Sequence, residues 1–416
     1  MTTRSVSSGR TIVTLLVGAA LLLTGGALFQ TLLPLRAGIE DFSPTAIGML
    51  GAAYFSGFIV GCMVGPALVR TIGHIRTFCG IVALAAALAL MFPDWPIMAL
   101  WIGLRFLSGI ALALAFMVIE SWLNDQSENA NRGRILSIYI IVANVATMAG
   151  QLLINIADTA GSALFMLVTV LYCLAIIPIA LTPTNEPTPI PTAKLDLKEL
   201  IAVSPVGTIG CFLVGIVEGA FWTLGPVFGQ QRGMDVFEVT LLMTAFVLGG
   251  TLSQWPLGKL SDAYDRRLVM APVAACTVVT GILIALWPLE SLWAVLALSA
   301  LHGALMIPLY ALCLAHANDK VTTDKLVQTS GGLLLIYSVG AVIGPAAAAL
   351  AMERLEAGGL FLFISAVLAV LALFILYRLI FGPVRDRLFH GPFTPMPKTS
   401  QSLFEMEVDD DPNRQR

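Results

Sequence analysis

Glu218 is the one Asp, Glu, Lys or Arg between Glu199 and Arg232, and it lies in the apolar stretch Gly215-Ile-Val-Glu218-Gly219-Ala-Phe-Trp222. An ionisable group inside a bilayer costs roughly 2.5–3.5 kcal/mol on insertion scales, so each one needs a reason. A carboxyl among apolar side chains gains from being neutral, which suits a group that binds and releases a proton or meets a cation. Trp222, four residues on, falls on the same helical face one turn away. The plainer alternative is a structural Glu, protonated or hydrogen-bonded at a helix interface.

Arg105 is the second such group. A guanidinium keeps its proton, so it must find a carboxylate, a carbonyl or water. Facing a cavity, snorkelling to an interface or closing a structural pair would each satisfy it. Glu120 follows fifteen residues later, about 60° around a helix and about 22 Å along it, so the two share a face without touching. Its place near the end of the apolar run suits a gate or cap better than substrate contact.

Uncharged polar groups complete the set. Asn144, Gln151 and Asn155 recur at i, i+7 and i+11, and His302, Met306 and Tyr310 recur every four residues. Either stripe could line a cavity, although interhelical hydrogen bonding explains such residues equally well. His302 is a candidate proton relay, though a lone His in a span is more often simply hydrogen-bonded. Gln30 is a candidate substrate contact. Gly57, Gly61 and Gly65 at four-residue spacing let two backbones approach closely; helix packing is the preferred reading, and in a rocking machine such a contact would also be where two halves slide.

The elements that hold these groups follow from composition. The chain is 57% hydrophobic and 12% charged, with a mean hydropathy of +0.88. A soluble domain carries about 25% charged residues, so this chain belongs in lipid. The six cysteines, Cys62, Cys79, Cys173, Cys211, Cys276 and Cys313, all fall within apolar runs, without metal-ligand spacing. They read as small apolar fillers, so no disulfide, metal or cofactor is expected. No basic patch interleaved with aromatics points to nucleic acid. Arg4 and Arg10 precede an apolar run too long for a signal peptide, which reads as a retained first span.

With about 20 apolar residues needed to cross the hydrocarbon, spans fall near 11–35, 45–69, 77–93, 97–121, 135–157 and 162–182. A second set falls near 203–228, 236–258, 268–288, 291–316, 326–352 and 358–381. The runs are continuous rather than alternating, which argues for helices. Placing the N-terminus inside puts 19 of the 23 Lys and Arg on the cytoplasmic side. Arg36, Arg232 and Arg354 fall outside, and Arg105 within a span. The expected layout is a cytoplasmic N-terminus (1–10), six helices (11–182), a linker (183–202), six helices (203–381) and a cytoplasmic tail (382–416). Four prolines between Pro183 and Pro191 favour an extended tether. The following stretch to Leu200 reads as a short amphipathic lead into span seven, and the polar tail as disordered.

The halves repeat. Asn124-Asp125 matches Asn318-Asp319, Gly109 matches Gly303, and Gly150 matches Gly344, all at an offset of 194. The densest charge cluster, Gly258-Lys-Leu-Ser-Asp262-Ala-Tyr-Asp-Arg266-Arg267, has a weaker first-half counterpart in Gly65-Pro-Ala-Leu-Val69-Arg70-Thr-Ile-Gly73-His-Ile-Arg76.

On these residues the chain resembles the major facilitator superfamily of secondary transporters, from about residue 11 to 381. Gly258-x-Leu260-Ser261-Asp262-x-x-x-Arg266-Arg267 matches the family's cytoplasmic gate motif. Arg105-x-x-x-Gly109 resembles its second motif. Glu120-Ser-Trp-Leu-Asn-Asp and Gln254-Trp-Pro-x-Gly resemble a YcaD-like bacterial branch. The resemblance implies an all-α membrane protein of 12 helices in two pseudo-symmetric six-helix bundles around a cavity lined by spans four and seven. It makes Asp262 a gate carboxylate that accepts hydrogen bonds from the helix start near Arg134, with Arg266 and Arg267 as gate residues or topology markers and Arg70 and Arg76 in the weaker first-half gate. Val69 stands where the family carries an acidic residue, so that latch must be weaker here or supplied by the second half. Span five lacks the Gly-Pro signature of drug/proton antiporters, because Gln151 follows Gly150; a Gly340-x-x-x-Gly344-Pro345 pattern lies instead in span eleven.

The function these readings imply is transport of a small solute across a bacterial inner membrane by a monomer rocking about a central site, coupled to a proton or another ion. Uniport and efflux stay open. The chain carries no GxxxxGK[ST] phosphate loop and no HExxH or GxSxG motif, which disfavours an ATPase or a membrane-embedded enzyme. A solute sensor would need a signalling domain that the short tails do not offer.

Overall fold

The computed structural model describes residues 2–127, 131–182, 197–286, 291–322 and 325–381. The expectations for the tether at 183–196 and for the tail from 382 lie outside these residues. Among the described residues the chain is helical, without strands. The first half contains α1 (Thr2–Ile39), α2 (Pro44–Ile72), α3 (His74–Leu90), α4 (Met98–Gln126), α5 (Arg132–Leu152) and α6 (Ala163–Ala180). After the short α7 (Leu197–Val203) come α8 (Pro205–Gln231), α9 (Val236–Ala263) and α10 (Arg266–Leu286). The chain ends in α11 (Leu292–Met306), α12 (Pro308–Asn318), α13 (Leu326–Leu355) and α14 (Gly359–Phe381).

Among the described residues, eleven segments are long and apolar enough to cross a membrane, with α11 and α12 counted as one, and α3 supplies a shorter apolar helix of 17 residues. The expected span at 291–316 is therefore not one regular helix. Pro308 lacks the N–H that would continue the ladder, and the segment breaks at Ile307. The expected span at 135–157 falls on the apolar segment Gly133–Ile156, in which α5 ends at Leu152 and passes into a 3-10 turn, Leu153–Ile156. Local signals set other ends. The Ser204 hydroxyl accepts from Gly207 N–H at 3.3 Å and Pro205 follows in the first turn of α8. Asp235 and Glu238 form a reciprocal capping box that starts α9.

The described chain forms two compact units. Among the described residues, one contains 2–32 and 53–182 and the other 33–52 and 197–381. In the first, Phe29, Phe92, Phe165 and Trp101 build an aromatic core with centroid separations of 5.2 to 6.5 Å. In the second, α8 lies against α13, α9 against α11 and α10 against α14, around Phe221, Phe228, Phe246 and Phe361. The second unit also takes the end of α1 and the start of α2. Gln230 Nε2 donates to the Leu35 carbonyl at 3.0 Å, and the Thr45 N–H donates to Glu353 Oε1 at 3.3 Å.

The internal repeat holds at the level of contacts. A methyl added at Gly57 would strike the Phe106 backbone, and one at Gly109 the Tyr54 backbone. In the second unit Gly249 meets Ala300, and Gly303 meets Phe246, in the same way. The second and fourth spans of each half thus interlock through two reciprocal glycines, a close approach that only hydrogen side chains allow.

Candidate functional site

Glu218 sits in the middle of α8 and is 1% exposed. Its neighbour follows from the small residues around it. Added methyls at Gly215 and Gly219 of α8, and at Gly340 and Gly344 of α13, would each run into the partner helix's backbone. The two helices therefore touch main chain to main chain. That approach brings Tyr337 onto the carboxylate, and its hydroxyl donates to Glu218 Oε2 at 2.7 Å. The Tyr310 ring lies edge-on to Tyr337 at 4.9 Å, so two phenols stand beside one buried carboxyl. Tyr337, not Trp222, makes this hydrogen bond; Trp222 is half-buried and packs edge-on against Phe221 and Phe246. Sequence reading missed Tyr337 because it carries no charge, although the Gly340-x-x-x-Gly344 pattern beside it marked the close approach.

His302 is fully buried, and its Nδ1 shares a hydrogen bond with Thr280 Oγ1 at 2.8 Å. Its ring packs edge-on against Phe361 at 5.3 Å, and its Nε2 has no partner among the described residues. The expectation that His302 and Tyr310 line one face does not hold, since His302 meets α10 and α14 whereas Tyr310 meets α13. Eight residues already turn the helix by about 80°, and the break at Pro308 separates the two further.

In the first unit, Arg105 on α4 is 3% exposed and donates through Nη2 to Gln30 Oε1 of α1 at 2.7 Å. Its guanidinium lies 4.5 Å from the Tyr54 ring centroid and 5.3 Å from that of Phe29. Gln30 and Arg105, singled out separately, are thus one site, and Tyr54 is the partner the sequence did not reveal. Farther along α4, Glu120 is fully buried and accepts from the Tyr139 hydroxyl of α5 at 2.8 Å. Gln151 is buried and Asn144 half-buried on α5. Asn155 leaves their stripe, because it lies in the 3-10 turn, exposed, and donates to the Leu152 carbonyl at 3.0 Å. The packing reading of Gly57, Gly61 and Gly65 agrees with the contacts: all three face α4 within the first unit, at Phe106, Ile110 and Met117, rather than a surface between halves.

The charged loop between α9 and α10 folds around Arg266, which is 1% exposed. Its Nε pairs with Asp319 Oδ2 at 2.6 Å and its Nη1 with Asp262 Oδ1 at 3.1 Å, while Nη1 also donates to Ser261 Oγ at 2.9 Å. Arg267 grips Asp265 at 2.7 Å and donates to the Arg378 carbonyl at 3.1 Å. Gly258 is buried in the last turns of α9. Asp319 was visible in the sequence only as a repeat marker, and it is the shortest ion-pair partner of the motif's first arginine.

In the first-half counterpart, Gly73 takes φ 91, a conformation suited to Gly, at the sharp turn into α3. Gly65 and Val69 are buried, whereas Arg70, Arg76 and Arg134 are exposed, and Arg70 Nε donates to the Pro66 carbonyl at 3.2 Å. Asp125, the repeat counterpart of Asp319, is exposed.

Comparison with known proteins agrees with this architecture. Residues 15–240 and 207–407 each match the Major Facilitator Superfamily pattern. An uncharacterised MFS-type transporter, YcaD, of Shigella flexneri is 31% identical over 383 residues, covering 88% of this chain and 95% of that protein. An MFS-type transporter of Yersinia enterocolitica is 29% identical, covering 89% and 96%. Among solved structures, a variant of the nucleoside transporter NupG is 14% identical with a TM-score of 0.73, covering 88% of this chain and 99% of that one. A bacterial homologue of the human lysosomal transporter Spinster is 14% identical with a TM-score of 0.71, covering 88% and 95%. These two likenesses bear on the fold alone. The sequence matches span both halves, and this chain belongs to the Major Facilitator Superfamily as a multi-pass membrane transporter similar to YcaD.

Proposed function

We propose that the protein is a secondary active transporter of a small solute, working by alternating access in a bacterial inner membrane and coupled to protons through Glu218. Both termini are cytoplasmic in this reading, since 19 of the 23 Lys and Arg then lie inside. The observation that carries it is the buried Glu218 carboxyl, 1% exposed, held by the Tyr337 hydroxyl at 2.7 Å. An ionisable side chain inside the membrane marks an ion or proton pathway by default, and Glu218 is the carboxyl that α8 carries there. His302 is the candidate relay, and the Asp262–Arg266–Asp319 cluster is the inner latch that opens and closes with each cycle.

The test uses the full-length protein in proteoliposomes, with solute libraries screened for uptake under an imposed pH gradient. Glu218→Gln keeps an acceptor for Tyr337 and should abolish gradient-driven accumulation while leaving downhill exchange intact. Accumulation that survives this change would remove Glu218 from the coupling role. Flux indifferent to pH in the wild type would make the protein a uniporter.

A further inference from the structure

We infer that Arg105 is the seat for an anionic group on the transported solute, a carboxylate or a phosphate. The inference rests on the transport reading above and adds the chemical class of the cargo. A guanidinium has five N–H donors and a permanent charge. At Arg105 the sole acceptor among the described residues is the neutral Gln30 amide oxygen at 2.7 Å, and Nε is buried with no partner. No carboxylate pairs with it among the described residues. The faces of Tyr54 and Phe29 lie against it, which attract the cation weakly and accept no conventional hydrogen bond. A charge 3% exposed and lacking a counter-ion is an expensive arrangement that an arriving oxyanion completes. The planar fork matches carboxylate and phosphate oxygens in pairs.

The packing of the fold does not itself demand this arginine. The second unit repeats the same glycine interlock at Gly249 and Gly303, and there the position 194 residues after Arg105 is Ser299. That hydroxyl satisfies itself on the Leu242 carbonyl at 2.9 Å. The same helix pair thus closes with a small neutral side chain in one half and a buried cation in the other. Tyr54 and Gln30 orient the guanidinium, Gln30 by holding one nitrogen while Nε keeps no partner among the described residues.

The experiment measures thermal stability of the purified full-length protein against acetate, benzoate, inorganic phosphate and neutral benzamide. A saturable upward shift with benzoate or phosphate, absent with benzamide, is expected for the wild type. The benzoate and phosphate arms decide between a carboxylate and a phosphate. Arg105→Gln should weaken that response at least tenfold, while Arg354→Gln, the same loss of charge at an exposed position, should leave it unchanged. Should Arg105→Gln fold poorly, Gln30→Glu supplies the missing counter-ion internally. That variant should unfold at a higher temperature than the wild type and lose the anion response. No saturable response to any anion, equal shifts with benzamide, or an undiminished response in Gln30→Glu would overturn the inference. Flux of neutral solutes without an anion response would overturn it while leaving the transport reading intact. Anion binding lost in Arg105→Gln, with no flux of any solute, would uphold the seat and sink the transport reading instead.

Discussion

Arg266 and Asp319 close a 2.6 Å ion pair across 53 residues of chain, joining the start of α10 to the end of the broken tenth span. The arginine side chain is 1% exposed and the aspartate 8%, whereas Asp262, the second partner, is 34% exposed. The charged loop that the sequence makes conspicuous is thus organised by a carboxylate from elsewhere.

Removing one partner from a buried pair strands the other, at a cost of about 3–5 kcal/mol. Asp319→Asn should therefore destabilise the protein by roughly 2–4 kcal/mol, since Asp262 still offsets part of the charge, and Asp262→Asn by about 1 kcal/mol or less. Thermal unfolding in detergent measures both. A larger loss in Asp262→Asn would show that the exposed carboxylate, not the buried one, holds Arg266.

The Tyr337 hydroxyl can be removed without removing the Glu218 carboxyl. Tyr337→Phe deletes one hydrogen bond to a buried charged or polar acceptor, about 1.5–3 kcal/mol. Under the proton-coupled reading, it should lower gradient-driven accumulation while leaving downhill exchange intact. Accumulation equal to that of the wild type would mean that the pair is structural only.

Glycine substitutions test the interlock of the spans. Gly109→Ala and Gly303→Ala each place a methyl against a partner backbone, at Tyr54 and Phe246, with no flexible side chain to give way. Both should lose several kcal/mol of stability, on the order of a severe core overpacking. Gly103→Ala, on the same α4 but with nothing within 4 Å of its added methyl, should be neutral or stabilising by up to about 1 kcal/mol. Equal tolerance at all three positions would contradict the close approach.

Asp265 gives a pH test outside the spans. Burial pushes its carboxyl up, but the hydrogen bonds and charge of Arg267 outweigh that and hold it below its ordinary 3.8. A carboxyl depressed in the folded state contributes stability that is fully present above its unfolded value and is lost as pH falls through the folded one. Melting temperature of Asp265→Asn relative to the wild type should therefore be lower near pH 7, with the gap narrowing below about pH 4. A gap that widens on acidification would reverse the sign of the linkage.

Much of the architecture was legible because a bilayer leaves few choices. Long apolar runs must become helices, so the twelve span positions and the two-fold repeat followed from hydropathy, prolines and glycine spacing. The chemistry-bearing residues were legible too, since Glu218, Arg105 and Arg266 are costly in such surroundings. Their partners were not. Tyr337, Tyr54, Tyr139 and Asp319 carry either no charge or no unusual context in the sequence, and each meets its target only because separate helices pack closely. The stripes failed for the same reason. Helical periodicity predicted one face for His302 and Tyr310 and one for Asn144 and Asn155, but Pro308 and the 3-10 turn at Leu153 broke the helices that the periodicity assumed. The sequence determined which segments enter lipid and which side chains must there find a partner, because those depend on local transfer energies. Only the tertiary structure decided which partner each one found, because that depends on where glycine-lined backbones touch.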